Sequence, residues 1–375
     1  GKTSSVIWAA DYLLKEKFIN RVLVICPLSI MQSAWEADLF KFAMHRTCAI
    51  AHSYSKEKRI QAIHSDTDFV IINYDGLEII KDEIINAKFD LIVVDEANAY
   101  KNVHTKRWKI LASVIRPETW VWMLTGTPAS QSPTDAYGLA KLINPTGVPK
   151  FFGAFRDMVL QKITQFKWIP KPSSERVVHQ VLQPAIRYTK EECLDLPDMT
   201  YVTREVPLSA QQNKFYEAIR NNMMTVAAGE EITTVNAAVN LNKLLQLSCG
   251  AVYSDSGEIV AFDAKNRMTA LLEVIEEASH KVIVFAPFKH AIEIIADEMR
   301  KNKIPAEIIH GGVSATKRTE IFSRFQTEDN PRVLIIQPQA AAHGVTLHAA
   351  NVVVWWGPIT SIETYLQANA RVHRA

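Results

Sequence analysis

Residues 91–98 read Leu91-Ile92-Val93-Val94-Asp95-Glu96-Ala97-Asn98. Four aliphatic side chains in a row predict a short strand buried on both faces, and two adjacent carboxylates then arrive at its carboxyl end. Open α/β sheets bind ligands at that end of their strands. Similar apolar runs lie on either side, at Arg21–Cys26, Asp68–Asn73 and Thr119–Leu124, besides Asp90–Asp95 itself. Each gives way to a polar or Pro/Gly break and then to an amphipathic stretch, such as Leu28–Phe42 or Thr105–Ile115. Strands alternating with helices mean βαβ units and a parallel sheet. The rhythm returns at Lys281–Ala286, Ala306–His310, Arg332–Gln337 and Asn351–Trp356. Between these halves the pattern turns mostly helical, as in Ala210–Ala228 and Asn236–Leu247. The expected fold is therefore α/β, with a first lobe at 1–150, helical and basic insertions with a linker at 151–263, and a second lobe at 264–375.

Two further motifs give the carboxylates a context. Gly1-Lys2-Thr3 opens a helical stretch, Ser4 to Phe18, and matches the end of a P-loop. In that motif backbone N–H groups cradle phosphates, the lysine meets the β- and γ-phosphates, and the threonine hydroxyl binds Mg²⁺. The preceding glycines of the loop are missing, and with Arg374-Ala375 at the other end both termini look cut. On this reading Lys2 and Gly1 hold nucleotide, Thr3 and Asp95 hold Mg²⁺, and Glu96 orients the attacking water. A third strand ends in Leu124-Thr125-Gly126-Thr127-Pro128, whose hydroxyls and flexible glycine can sense the phosphate state. Alone, each motif has a plain structural reading, a helix start, a strand ending in solvated acids or an ordinary turn. Together, in this order, they predict an ATP site.

Composition narrows the class. Hydrophobic residues at 48% and charged residues at 22% suit a globular protein, and no apolar run approaches the roughly 18–20 residues of a membrane span. No secretory leader is visible at Gly1. Cys26, Cys48, Cys193 and Cys249 form no CxxC pair, which argues against a zinc site or disulfide framework and fits a reducing compartment. The histidines, His343 and His348 included, show no metal-ligand spacing. Residues 151–190 hold seven Lys/Arg against two acids and include Phe151, Phe152, Phe155, Phe166 and Trp168. Such a segment suits a phosphate backbone, and a solvated face over a small core fits it equally well.

The chain resembles helicase superfamily two, and within it the SWI/SNF-like DNA translocases, nearly end to end. Val24-Ile25-Cys26-Pro27-Leu28 followed by Trp35, then Ile72-Asn73-Tyr74, Lys101-Asn102 and Leu124–Pro128 resemble successive first-lobe motifs. Arg187-Tyr188-Thr189-Lys190, Leu196-Pro197, Gln211 and Tyr216 resemble the segment between lobes. Val282–Phe285, then His310-Gly311-Gly312 with Arg318 and Phe325, resemble second-lobe motifs. So do Gly344-Val345-Thr346-Leu347-His348-Ala349-Ala350 and Gln367-Ala368-Asn369-Ala370-Arg371-Val372-His373-Arg374. The resemblance implies two RecA-like P-loop lobes with ATP and Mg²⁺ in the cleft between them and double-stranded DNA across both. It implies DNA contact at Asn73, Tyr74, Lys101, Asn102, Gly311 and Thr346, nucleotide contact at Gly344 and Gln367, coupling through Thr125, Gly126 and Thr127, and catalysis by Lys2, Asp95, Glu96, Arg371 and Arg374. Spacing supports the last pair, since Gln367, Arg371 and Arg374 at i, i+4 and i+7 would share one helical face. A surface salt-bridge role is the alternative for these arginines.

Two departures stand out. The acidic motif ends in Asn98 where the family has histidine, which keeps hydrogen bonding but cannot carry charge. Ala340–His343 replaces the paired glycines common in the family. Few insertions and the Trp355-Trp356-Gly357-Pro358 stretch resemble compact phage or bacterial members. That implies a cytoplasmic, monomeric core acting on DNA, with other nucleoprotein factors as further partners and no membrane. Contacts through cations such as Lys101, Lys106, Arg107 and Lys109 would depend on salt and not on base sequence. The rival readings are a strand-separating helicase on DNA or RNA and, in another class, a non-catalytic DNA-binding scaffold.

Overall fold

Strand β1, Val22–Cys26, is buried at every position, so both of its faces must be covered. Val22, Val24 and Cys26 point one way, and Leu23 and Ile25 the other, as the two-residue repeat of a strand requires. The helix Lys2–Lys15 lays Val6, Ile7, Ala10 and Leu14 on the first face, with Trp35 and Leu39 beside them. Leu77, Ile84, Leu111 and Leu139, from four later helices, cover the second. Truncating such a fully buried aliphatic side chain to alanine typically costs about 2–5 kcal/mol. These residues thus decide whether the sheet forms at all.

A computed structural model of the chain describes residues 1–193, 195–196, 198–227, 234–253, 259–341 and 347–373. Besides β1, its first sheet contains β2 (Cys48–Ile50), β3 (Phe69–Asn73), β4 (Leu91–Val94) and β5 (Trp120–Met123), all parallel, in the order β2-β3-β1-β4-β5. Ile25 pairs with Ile72 and Val94, and Val94 with Met123. The next residues along, Cys26, Asn73, Asp95 and Leu124, therefore line up at one end of the sheet. The expected strands appear within a residue or two of their predicted bounds, while β2, short and half-buried, was not among them.

A hairpin of β6 (Leu160–Lys162) and β7 (Trp168–Pro170) belongs to the same compact unit, Gly1–Tyr188. The second unit, Thr189–Ala375, starts with the short helix Lys190–Cys193, followed by the helices Ala210–Ala227 and Thr234–Ser248 and the hairpin of β8 (Ala251–Tyr253) and β9 (Ile259–Ala261). Its parallel sheet contains β10 (Lys281–Phe285), β11 (Ala306–Ile309), β12 (Val333–Ile336) and β13 (Ala350–Trp355), in the order β11-β12-β10-β13. Val282 and Val284 face Met268, Leu271, Ile292 and Ile295, whereas Ile283 and Phe285 face Ile321 and Phe325. The stretch 151–263, read as mostly helical, thus holds two hairpins. It is also divided, with 151–188 joining the first unit and 189–263 the second.

A second difference lies at Leu28–Phe42, where one amphipathic helix was expected. The chain instead makes a 3₁₀ turn at Leu28–Ile30, a π-helical segment at Met31–Glu36 and an α-helix at Ala37–Phe42. Wide π turns are rare and often occur at functional sites. Here the segment carries Trp35.

Candidate nucleotide site

The site grows from the end of β4. The backbone N–H of Asp95 bonds to the Ile25 carbonyl at 2.9 Å, which carries sheet pairing one residue past the strand. The Asp95 side chain is only 7% exposed. A buried carboxylate must have hydrogen-bond donors around it, and two are present. The indole Nε1 of Trp35 donates to Oδ2 at 3.0 Å, and the backbone N–H of Glu96 donates to Oδ1 at 2.9 Å. Glu96 itself has φ of 47°, in the left-handed region where a residue with a Cβ is strained. That turn aims successive side chains apart, so Asp95 is buried while Glu96 stays half-exposed.

Two neighbouring strand ends brace this turn. The Tyr74 hydroxyl, just after β3, donates to the Asp95 carbonyl at 2.6 Å and to the Glu96 carbonyl at 3.3 Å. Burial, with Tyr100, Asp95 and Glu96 nearby, raises this hydroxyl well above the ordinary tyrosine range, so it remains a donor. After β5, the Thr125 hydroxyl donates to Asn98 Oδ1 at 3.0 Å and accepts from the Thr127 N–H at 3.3 Å. Asn98 is buried. The residue that departs from the family pattern thus links the acidic turn to the Thr125-Gly126-Thr127 loop, with Gly126 and Thr127 exposed.

The other predicted residues fall into three groups. Gly1 caps the helix Lys2–Lys15; Lys2 is exposed, Thr3 is half-buried, and an atom at a Gly1 Cβ position would meet nothing within 4 Å. Among the expected DNA contacts, Asn73 is buried and Tyr74 uses its hydroxyl inward. Asn102 accepts the His104 N–H at 2.9 Å and remains exposed. Lys101 pairs with Asp135 at 3.2 Å, Arg107 with Asp75 at 3.1 Å, and Lys106 with Glu78. The basic run read from the sequence is thus largely neutralised by acids from other segments, and Lys109 is the exposed cation not so paired. Gly138 secures this corner, since a Cβ there would lie 2.2 Å from the Lys101 carbonyl oxygen.

In the second unit Gly311 is exposed and its N–H bonds to Gln337 Oε1 at 3.3 Å. Gln367 Nε2 donates to Glu363 at 3.3 Å within the helix Ile362–Asn369. The expected shared helical face does not extend to Arg371, because the helix ends at Asn369. Trp355 Nε1 holds Asn369 Oδ1 at 2.9 Å, the Leu347 N–H takes the Arg371 carbonyl at 2.9 Å, and the chain tightens into a turn. Arg371 is 8% exposed in that turn. Gly344, Thr346 and Arg374, with Pro197, lie outside the described residues.

Sequence reasoning did not assign a role to Trp35, although a buried indole N–H needs an acceptor and so signals a partner. It also missed the inward role of Tyr74 and the pairing of Lys101 with Asp135. Neither leaves a local signature, because each partner is more than twenty residues away.

Residues 1–250 match the model of the SNF2-related domain, and residues 266–375 that of the helicase conserved C-terminal domain. An uncharacterised ATP-dependent helicase of Mycoplasma pneumoniae is 29% identical over all of this chain and 36% of its own length. The chromodomain-helicase-DNA-binding protein 1-like of Danio rerio is 26% identical over all of this chain and 37% of its own. The chain therefore spans little more than a third of these curated relatives. A solved SWI2/SNF2 ATPase core of Sulfolobus solfataricus in complex with dsDNA aligns with 95% of this chain and 75% of its own, at 24% identity and a TM-score of 0.47.

Proposed function

This chain belongs to the SNF2-related family of ATP-dependent helicase-like proteins, and on that premise we propose that it is the ATPase core of a motor moving along double-stranded DNA. The observation that carries the reading is the buried Asp95, held by Trp35 and braced through Tyr74, beside a half-exposed Glu96. The residues present suit Mg²⁺-ATP. Each Asp95 oxygen accepts one hydrogen bond and keeps a lone pair, and Asp95 and Thr3 are the hard oxygen donors that Mg²⁺ prefers. The first turn of the helix Lys2–Lys15 offers N–H groups without intrahelical partners, and the space at Gly1 is open. Mg²⁺ bound there would neutralise phosphate charge.

The chain's own residues then divide the work. Lys2 and the helix start bind and orient the phosphates. Glu96 accepts a proton from the attacking water, and its place in a strained turn fixes the direction of that side chain. Asn98 and Thr125 couple the acidic turn to the Thr125–Thr127 loop. Arg371 and Arg374 serve turnover, and Gln367 supports nucleotide contact. Exposed Asn102, Gly311 and Lys109 serve the DNA backbone, with Thr346 assigned there by family position. Four free thiols and the compact, phage- or bacterial-like plan accord with a cytoplasmic site of action as a monomeric core.

Movement along duplex DNA is tested by displacement of a triplex-forming strand by the full-length protein with ATP. Displacement without separation of the underlying duplex is the expected result. Strand separation at equal rate would make the protein a helicase, and neither activity would leave a DNA-binding scaffold.

A further inference from the structure

The hairpin β6–β7 has no part in the nucleotide site, and its surface is unusual. Every residue from Gln161 to Lys167 is exposed. Phe166 at the tip is 89% exposed and Ile163 50%. The tip is nonetheless built, since the N–H groups of Phe166 and Lys167 both bond to the Thr164 hydroxyl, at 3.3 and 3.0 Å, and the Ile163 N–H bonds to the Lys167 carbonyl at 2.8 Å. At its base Arg156 lies 4.2 Å from the Trp168 ring centre and is paired with Asp157, and Lys171 is tied to the Asp157 carbonyl. A hydrogen-bonded support thus presents an aromatic ring to water.

Charge identifies the occupant. No acidic residue occurs between Asp157 and Glu175, while Lys167 directly follows the exposed ring and Lys162, opposite Trp168 with its ammonium 5.8 Å from that ring's centre, adds a second cation to the hairpin. An exposed aromatic wedge with nearby ammonium groups matches a duplex groove, where apolar side chains insert at base steps between phosphates. We propose that this hairpin is a second contact of the motor with duplex DNA, with Phe166 wedged against bases in a groove and Lys162 and Lys167 seated on phosphates. The inference rests on the DNA-motor reading and adds to it an element that grips the track outside the nucleotide site.

The test measures binding of the full-length protein to a short fluorescent duplex across a salt series, for wild type, Phe166→Ala and the double variant Lys162→Ala/Lys167→Ala. Phe166→Ala should weaken binding about tenfold with the salt slope unchanged. The double variant should lower the slope by about two phosphates' worth of counterion release. ATP turnover without DNA should be the same in all three. Wild-type affinity and slope in both variants, with normal DNA stimulation of wild-type turnover, would overturn the hairpin's role alone and point to a protein partner for it. No DNA stimulation in wild type would overturn the motor reading and the hairpin's role with it.

Discussion

The carboxyl ends of the two sheets carry different chemistry. At the end of the first, carboxylates and carbonyls receive hydrogen bonds from side chains of three distant segments, namely Trp35, Tyr74 and, through Asn98, Thr125. Around the second, guanidinium groups hold main-chain carbonyls. Arg318 bonds to those of His310, Gly311 and Val313, and Arg267 to that of Trp356, while at the amino ends both sheets use such ties, Arg332 to Ile275 and Ala278 in the second and Arg21 to Ile63 and Ser65 in the first. A strand-end acid that is buried with its own donors, yet keeps lone pairs for a cation, is thus a sign of a site. An arginine in the second unit is a weak sign, because several are loop ties. Function there has to be assigned one residue at a time.

Arg371 gives the sharpest contrast. If it acts on the transferred phosphoryl group, Arg371→Ala should reduce DNA-stimulated turnover by about 10³-fold or more while nucleotide affinity stays near wild type. Its main-chain bond to Leu347 survives the substitution. Arg371→Lys and a melting curve for each variant separate catalysis from folding. Turnover falling only in step with stability would place Arg371 among the loop ties.

On the first unit, Trp35→Phe removes one donor from a buried charged group, a loss of about 1.5–3 kcal/mol. Turnover should fall about tenfold or more and the Mg²⁺ concentration for half-maximal rate should rise, as phosphate release at graded Mg²⁺ would show. Unchanged Mg²⁺ dependence would mean that Trp35 only packs.

How much of this could be read from the chain follows from the range of each cause. Leu91–Val94 and Val333–Ile336 are buried on both faces, so composition alone marks them as strands, and Asp95 and Glu96 follow at once. The π turn at Met31–Glu36 was hidden because apolar periodicity does not separate it from an α-helix, and Asp95, the partner of its Trp35, lies sixty residues away. Arg371 leaves its helix for the same kind of reason, since Trp355 and Leu347 capture the chain end. Lys101 looked available only because its acid, Asp135, is far along the sequence. The hairpins of 151–263 have strands of three residues, too short for periodicity to separate them from loops.

The smallest expected effect is on stability in the second unit. His290 is buried against Phe288 and Tyr253, and burial lowers its imidazole from 6.5 to about 4. The unfolded chain therefore takes up this proton first as pH falls. The contribution is complete above pH 6.5 and declines between 6.5 and about 4. His290→Phe should flatten the melting temperature across that window and change it little near neutral pH. An unaltered pH profile would show that the loss arises elsewhere.

Phosphate release by the full-length protein, with and without duplex DNA, in wild type and Glu96→Gln, tests the DNA-motor account most directly. Duplex DNA should accelerate the wild type. Glu96→Gln should retain ATP binding and lose about 10²–10⁴-fold in DNA-stimulated rate. Wild-type turnover in Glu96→Gln, or a wild-type rate indifferent to duplex DNA, would contradict it.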